Sequence, residues 1–548
     1  MRGSCKILVT GVRGNTFPLT PALSPRERES RIQSLDKSGR VGSAESLATI
    51  LPLPEGEGRG EGEAALLSPD QIKFSEKLTN TIFHWFAFVG LFFVLAPITA
   101  SLAADWPTYR ADYARSGISL EKISTPLNEA WTFKPLYPPQ PAWSGEAKLD
   151  AYNKVYDMRN RQPFDKAFHV AVADGSVCFG SSADDKVYCL DAATGKERWT
   201  FFTEGPVRLA PTFHTGKVYA GSDDGFVYCL AAQDGAVIWK TRIGPRDYRI
   251  AGNGRVISAW PVRTSVVVRD GLAYCCGGMF PSEGVFLCAL EAQGGAVKWK
   301  VANYDLPAQG YLLASDTRLY VPAGRDNPVV YDRADGRRLR AVEGAGGTYA
   351  LLTGDTLIFG PGKTGQLGVV PEEQKDQLAT FQGNHMIVTP RVSYLHSDKE
   401  LSALDRGRYL SLAKQKNSLA AQQGTITKRL KDLERGGDAS EKNQLRNELS
   451  DLGKNIDRIT REMAECVPWK QPCEFPFCLI LAGETLFAGG DNEIAAFSGT
   501  DGKLIWKGAV TGKAYGLAAA SGRIFASTEL GTIHCFVSGQ RRAEAVGK

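Results

Sequence analysis

Short alternating strands recur at an interval near forty residues along most of this chain, and each clear copy puts a tryptophan four residues after a turn glycine. Those two observations predict an all-β fold, an eight-bladed β-propeller with seven blades as the fallback. A third is a charged, proline-free stretch with leucines at heptad spacing. It predicts an antiparallel α-helical coiled-coil hairpin, residues 408–466, inserted in the sixth blade.

The repeat is plainest where Val187-Tyr188-Cys189-Leu190 returns forty positions later as Val227-Tyr228-Cys229-Leu230, and Gly195 to Trp199 returns as Gly235 to Trp239. Leu290/Gly295/Trp299 and Phe497/Gly502/Trp506 keep the same offsets. Gly and Asp turns between short strands are hairpin signals. One unit keeps Tyr331 and Gly336 but has Arg340 at the tryptophan position, and the next is degenerate, with Val369 and Leu378. The unit after it breaks at Ala403-Leu404-Asp405, and the helical insertion carries the chain to Trp469 at the expected place. In that insertion Leu412, Leu419, Ile426, Leu430 and Leu433 form one arm, and Leu445, Leu449, Leu452, Ile456, Ile459 and Met463 the other.

The last unit, Ile533-His534-Cys535-Phe536, has no tryptophan strand after it, whereas Glu129-Ala130-Trp131-Thr132-Phe133 has no hairpin before it. The two fragments complete one sheet, which removes an open edge prone to aggregation. Tryptophan-position residues at 131, 199, 239, 299, 340, 378, 469 and 506 give the count of eight.

Upstream, residues 1–72 are rich in Pro, Gly, Ser and charge and cannot bury enough surface to repay ordering. They read as a disordered tail or as an extension from a misassigned start. Residues 73–104 combine Lys73 and Lys77, an apolar run from Ile82 to Ala100 and small residues before Asp105. That is the layout of a secretory signal, and the run is also long enough to serve as a membrane anchor. The expectation is a periplasmic or secreted propeller over residues 105–548, touching membrane only through this segment. A net charge of +5 on 548 residues is too small and dispersed for nucleic acid, and 11 Cys are too few for a disulfide scaffold.

The pattern Val-Tyr-x-Leu-Asp-Ala-x-Thr-Gly-Lys-x-x-Trp, clearest at Asp191 to Trp199, resembles the repeat of the pyrroloquinoline-quinone (PQQ) propeller proteins. The opening Asp105-Trp106-Pro107-Thr108-Tyr109-Arg110 is similar to the starts of exported members. The resemblance implies either a non-catalytic binding or assembly scaffold or a quinoprotein dehydrogenase using PQQ and calcium to oxidise alcohols or sugars. The latter needs hard oxygen ligands and a carboxylate base at one channel mouth. Aligning the units puts His169, Arg208, Arg263, Gln309, Tyr311, Tyr349, His385 and Tyr515 near that mouth, with Trp260 as a stacking or packing ring. That basic, aromatic and amide set, without paired carboxylates, suits a polar or anionic small ligand. No residue is assigned a catalytic or metal-binding role, and the scaffold is the preferred reading, with the hairpin as an arm for a protein partner.

Cys275 and Cys276 match the adjacent pair that quinoprotein alcohol dehydrogenases join as a vicinal disulfide beside the quinone. Lying within a strand, they should point to opposite faces, which disfavours ring closure. Cys466, Cys473 and Cys478 flank the insertion's return, and one disulfide among them is left open. Cys189, Cys229 and Cys535 share a repeat position and read as buried apolar residues.

Overall fold

The computed structural model describes residues 104–539, apart from short internal stretches of which the longest are 144–148, 157–163, 344–348, 361–365 and 372–378. Residues 1–103, which hold the expected tail (1–72) and all but the last residue of the expected signal or anchor (73–104), and the degenerate position Leu378 lie outside the described residues. Six four-stranded antiparallel sheets follow one another at 170–202, 212–242, 267–303, 313–341, 349–382 and 385–472, each in simple up-and-down order. They are numbered first to sixth below. An eight-stranded sheet follows, in which Leu504–Ala520 is one long strand. Its first half pairs with Asp491–Ser498 and its second with Arg523–Thr528, so two four-stranded halves share a strand, and the eighth strand, Ile118–Ser119, pairs parallel with Cys478–Ala482. The architecture is mostly β, a propeller-type succession of four-stranded sheets.

The alternation of side chains explains how the sheets stack. In the third sheet Cys275 packs with Tyr219, Val227 and Trp239 of the second, whereas Cys276 packs with Leu319, Val321 and Val329 of the fourth. Both faces of each sheet are therefore core, and the strands read as apolar runs with no polar face. Val170, Val177, Phe179 and Leu190 of the first sheet share a cluster with Phe525, Ala526, Ile533 and Cys535 of the last. Leu127–Phe133 pairs antiparallel with Ile533–Ser538, Trp131 opposite Cys535, so the early strand completes the late sheet.

Four repeat tryptophans span the gap between sheets in one way. The Trp199 indole donates through Nε1 to the Ala232 carbonyl at 2.9 Å and lies over Gly235. Trp131 does the same at Ala192 and Gly195, Trp239 at Ala292 and Gly295, and Trp469 at Gly499 and Gly502. Arg340, where the indole is replaced, donates instead to the Pro371 carbonyl at 3.3 Å.

Two helices interrupt the sixth sheet, α1 (Arg406–Leu433) and α2 (Ala439–Ala464), after which Trp469 pairs with Ala403. Arg408 pairs with Glu465 at their base and Arg429 with Glu441 near the tip, which makes the pair antiparallel. Leu412, Leu445, Leu452 and Ile459 are buried between them, with Leu419, Ile426, Leu449 and Ile456 half-buried in line. At about 1.5 Å per residue each helix is roughly 40 Å long. Among the described residues no helix is long and apolar enough to cross a membrane.

A Cβ at Gly235 would stand 2.6 Å from the Trp199 ring at a φ of +75°, whereas Gly216 has a similar φ of +71° and open space around it. The left-handed backbone alone costs a non-glycine residue about 1–2 kcal/mol, and forcing a methyl into a packed contact adds about 1–3 kcal/mol. Thermal or urea unfolding should therefore show Gly235→Ala losing clearly more stability than Gly216→Ala. Equal losses would mean that the indole contact contributes nothing.

Candidate functional site

The loops that lead into the first strands of successive sheets converge at one mouth, and two further segments meet them there. Residues 104–122 rise from below, and residues 138–143 and 164–168 lie across the loops of the first three sheets. Both segments supply residues that the repeat alignment misses, because neither belongs to a repeat.

Arg208 and Arg263 do come together, but as half of a neutral cluster. Asp223 accepts from Arg208 Nε at 2.7 Å and from Arg263 Nε and Nη2 at 3.0 Å each, and Asp165 accepts from Arg208 Nη1 at 3.2 Å. All four side chains are buried. Burial pushes the Asp223 carboxyl up, yet the two guanidiniums outweigh it and hold the group below its ordinary range. Asp165 has one long contact to a guanidinium, and there burial wins and raises it. The inventory of a mouth without paired carboxylates is thereby corrected: two aspartates stand beside the arginines and neutralise them. Asp223 was legible as part of the Ser222–Gly225 turn, but nothing in the sequence marks that turn as facing the mouth.

Gln309 accepts from Trp143 Nε1 at 2.8 Å, and Tyr311 stacks on Tyr109 with ring centroids 3.6 Å apart. His169 meets Tyr109 edge-on at 5.0 Å. Across the mouth the Arg110 guanidinium lies over Tyr349, whose hydroxyl donates to the Met386 carbonyl at 2.7 Å. His385 is edge-on to Tyr349 and faces His396 with the Nδ1 atoms 3.4 Å apart. Tyr515 packs on Phe477 beneath Lys166. Trp260 is set apart from this group: it is buried, donates to the Glu283 carbonyl at 2.8 Å and is covered by Gly244, so it packs and offers no stacking face.

Burial, with Arg110 adding to it, lowers His169 to about 4, and burial lowers His396 to about 4 and His385 well below its ordinary value. The mouth at neutral pH is thus lined by neutral imidazoles, phenols and arginines bound to carboxylates or carbonyls.

A family model described as outer membrane protein assembly factor BamB matches residues 140–272 and 227–383. The dehydrogenase subunit of a quinone alcohol dehydrogenase from Gluconacetobacter polyoxogenes is 27% identical over 167 residues, 27% of this chain and 21% of that protein. Outer membrane protein assembly factor BamB of Yersinia pestis is 29% identical over 145 residues, 24% of this chain and 32% of that protein. The matches thus span between 21% and 32% of these relatives' lengths. The crystal structure of quinohemoprotein alcohol dehydrogenase from Comamonas testosteroni superposes with a TM-score of 0.52 at 13% identity, over 81% of this chain and 82% of that one. It has the same fold. Over residues 140–383 the chain resembles the PQQ-repeat propellers.

The described residues do not fit the calcium and quinone that the resemblance brings to mind. No group of three or more His, Cys, Asp or Glu among them could hold a metal ion. The two carboxylates at the mouth are both held by guanidiniums. Cys275 and Cys276 are free thiols pointing into different inter-sheet cores, so the vicinal disulfide is not formed, for the reason strand alternation gives. Cys466, Cys473 and Cys478 are also free, each buried in a separate cluster, so the open disulfide among them is absent.

Removing the charge of Asp223 by Asp223→Asn leaves two buried guanidiniums facing a neutral amide, and breaking a buried pair of this kind costs about 3–5 kcal/mol. Thermal unfolding should register that loss, and a change within error would mean that the cluster is solvated. The histidines give a pH test. Their folded values lie below the ordinary 6.5, so between pH 6.5 and about 4 the unfolded chain takes up protons that the folded chain refuses. Stability should fall as pH drops through that window, and His396→Gln should flatten part of the fall in melting temperature.

Proposed function

We propose that this chain is an exported, eight-bladed, non-catalytic PQQ-repeat propeller that acts as a binding or assembly scaffold. Six separate sheets and the two halves of the shared one support the count of eight, and the strand 127–133 on 533–538 supports closure of the ring. The observation that carries the scaffold reading is the locked state of the mouth. A dehydrogenase needs a free carboxylate to take a proton and hard oxygens to hold a cation; here Asp223 is held by two arginines, and Asp165 has one oxygen bound by Arg208 and the Ala142 amide and the other without a partner. An aromatic and amide-lined mouth, in which Arg110 is held by carbonyls, instead suits a small polar ligand or a loop of a partner protein.

The helical hairpin is the second binding element. We read it as a coiled-coil arm whose outer faces meet a protein partner, since its apolar seam is consumed internally and its surface is charged. The match to an outer membrane protein assembly factor supports a periplasmic location and partner proteins, and the signal-like layout of residues 73–104 supports export. The dehydrogenase relatives favour the rival reading, oxidation of alcohols or sugars with PQQ and calcium.

One experiment separates the two. Purified protein, with and without residues 410–464, is incubated with PQQ and Ca²⁺, desalted, and assayed for quinone absorbance and dye-linked oxidation. Neither form should retain quinone, and both should keep the same melting temperature within a few degrees. Stoichiometric retention with turnover would overturn the scaffold.

A further inference from the structure

Residues 104–122 precede the first repeat, yet they carry some of the most deeply buried side chains in the described residues: Trp106 is 1% exposed and Thr108 and Arg115 are 0%. Their carbonyls accept from the first strands of one sheet after another. Val172 of the first sheet donates to Trp106 at 2.8 Å, Phe213 of the second to Pro107 at 2.7 Å, Ala314 of the fourth to Tyr113 at 3.0 Å and Leu352 of the fifth to Ala114 at 2.8 Å. Leu481 donates to Gly117 at 2.8 Å, and Ser521, in the turn after Leu504–Ala520, to Ala104 at 3.2 Å. The third sheet is reached by a side chain, Arg115 Nη2 to Ser265 Oγ at 3.1 Å, and the sixth by packing of Ile387 beside Gly117.

First strands have one neighbour in their own sheet and leave a row of amides and carbonyls facing the centre. Each such group buried without a partner costs about 1–3 kcal/mol. A single segment that meets every sheet meets these edges where they converge. It turns back on itself with Arg110, Ala111, Arg115 and Gly117 all at positive φ, a conformation that persists only when the surroundings hold it. Arg115 fixes the reversal, since its guanidinium binds the Tyr109, Asp112 and Leu312 carbonyls and the Thr108 hydroxyl. The tip of the reversal is Tyr109-Arg110, the pair that stacks on Tyr311 and Tyr349 at the mouth. Both ends of the segment return to the opposite side, where Glu121 accepts from Gly522 at 2.6 Å.

We propose that residues 104–122 are a built-in stopper. The segment fills the centre of the sheet array from the side opposite the mouth, so that the array is a blind cup and not a pore, and its tip supplies the floor of the mouth. Tyr109 and Arg110 are then floor residues of whatever site the mouth holds, and a ligand enters and leaves by one face only. This inference rests on the sheet contacts and stands whether the mouth serves a scaffold or an enzyme.

The test uses the whole chain with a protease recognition sequence inserted beside Leu120, which is 92% exposed. After folding and cleavage, the N-terminal fragment should stay with the body through gel filtration and leave it only in denaturant. Hydrogen exchange of the amides of Val172, Phe213, Ala314, Leu352 and Leu481 should stay slow in the nicked protein. In Arg115→Ala it should quicken at least tenfold, with the strand Val237–Arg242 unchanged. If Arg115→Ala does not fold, the isosteric Thr108→Val, which removes one arginine contact and the 3.0 Å bond to Thr212, serves instead, with a smaller increase at Phe213. Release of the fragment under native conditions, or exchange at the five amides as fast as in a peptide before any mutation, would overturn the stopper.

Discussion

An indole lying flat on a glycine turn of the next sheet is the contact from which the rest of this architecture follows. It does three things at once. The ring covers a backbone where no side chain could fit, as the 2.5–2.6 Å approaches at Gly195, Gly235, Gly295 and Gly502 demand. Its Nε1 satisfies a carbonyl that the turn would otherwise leave without a donor. The first three sheets both receive an indole and give one, Trp299 covering Gly336 without a hydrogen bond from its Nε1, so the same offset that defines the repeat also sets the contact between neighbours. The exception at Arg340 is instructive: a guanidinium N–H reaches the equivalent carbonyl, so the polar part of the contact survives while the flat apolar part is lost. The hydrogen bond is kept by a residue that cannot reproduce the packing.

Stacked sheets of this kind have three sets of edges to dispose of, and the molecule treats each differently. The edge of the incomplete last sheet is closed by the strand 127–133, paired from Leu127 opposite Ser538 to Phe133 opposite Ile533. The outermost strands are left to solvent and carry charges, with Lys240, Lys298 and Lys507 exposed, which discourages pairing with another chain. The edges of the first strands face inward, where water has little room, and there the residues just before the closing strand act as acceptors. Roughly thirty consecutive residues, 104–133, thus serve both the centre and the rim.

The repeat was legible because it is an arithmetic of spacing: turn glycine, tryptophan and apolar strand recur at fixed offsets, and spacing survives substitution. Trp469 could be placed across a long insertion on that ground, as could the match of Trp131 to the last sheet. The heptad seam of the hairpin was legible for the same reason, since the leucines that define it are the ones buried between α1 and α2. The mouth was only half legible. Arg208, Arg263, Gln309, Tyr311, Tyr349 and His385 fall there because their position in the repeat puts them there, but their partners come from outside it. Asp165, Trp143, Tyr109 and Arg110 sit in segments with no period, and no spacing rule connects Tyr109 to Tyr311 across some two hundred residues. Reading the arginines without Asp223 and Asp165 gave a cationic mouth. With them the charge of Arg208 and Arg263 cancels, while Arg110, held by carbonyls, keeps its own.

That cancellation bears on what such a mouth can do. A buried guanidinium bound by a carboxylate has already given up its water and its freedom, so an anion arriving from solvent must displace the aspartate, which is tethered, or share it. Neither gives much affinity. The groups that still offer something are the amide of Gln309, the ring faces and edges of the tyrosines and Trp143, and the neutral imidazoles, all of which bind without a large change in charge. A proton-transfer reaction asks for the reverse, a group poised to gain or lose charge near neutral pH, and the histidines here are pushed far from that range by burial and Arg110. The same burial that keeps these imidazoles neutral takes them out of proton transfer near neutral pH, whereas it draws Asp165 toward its protonated form.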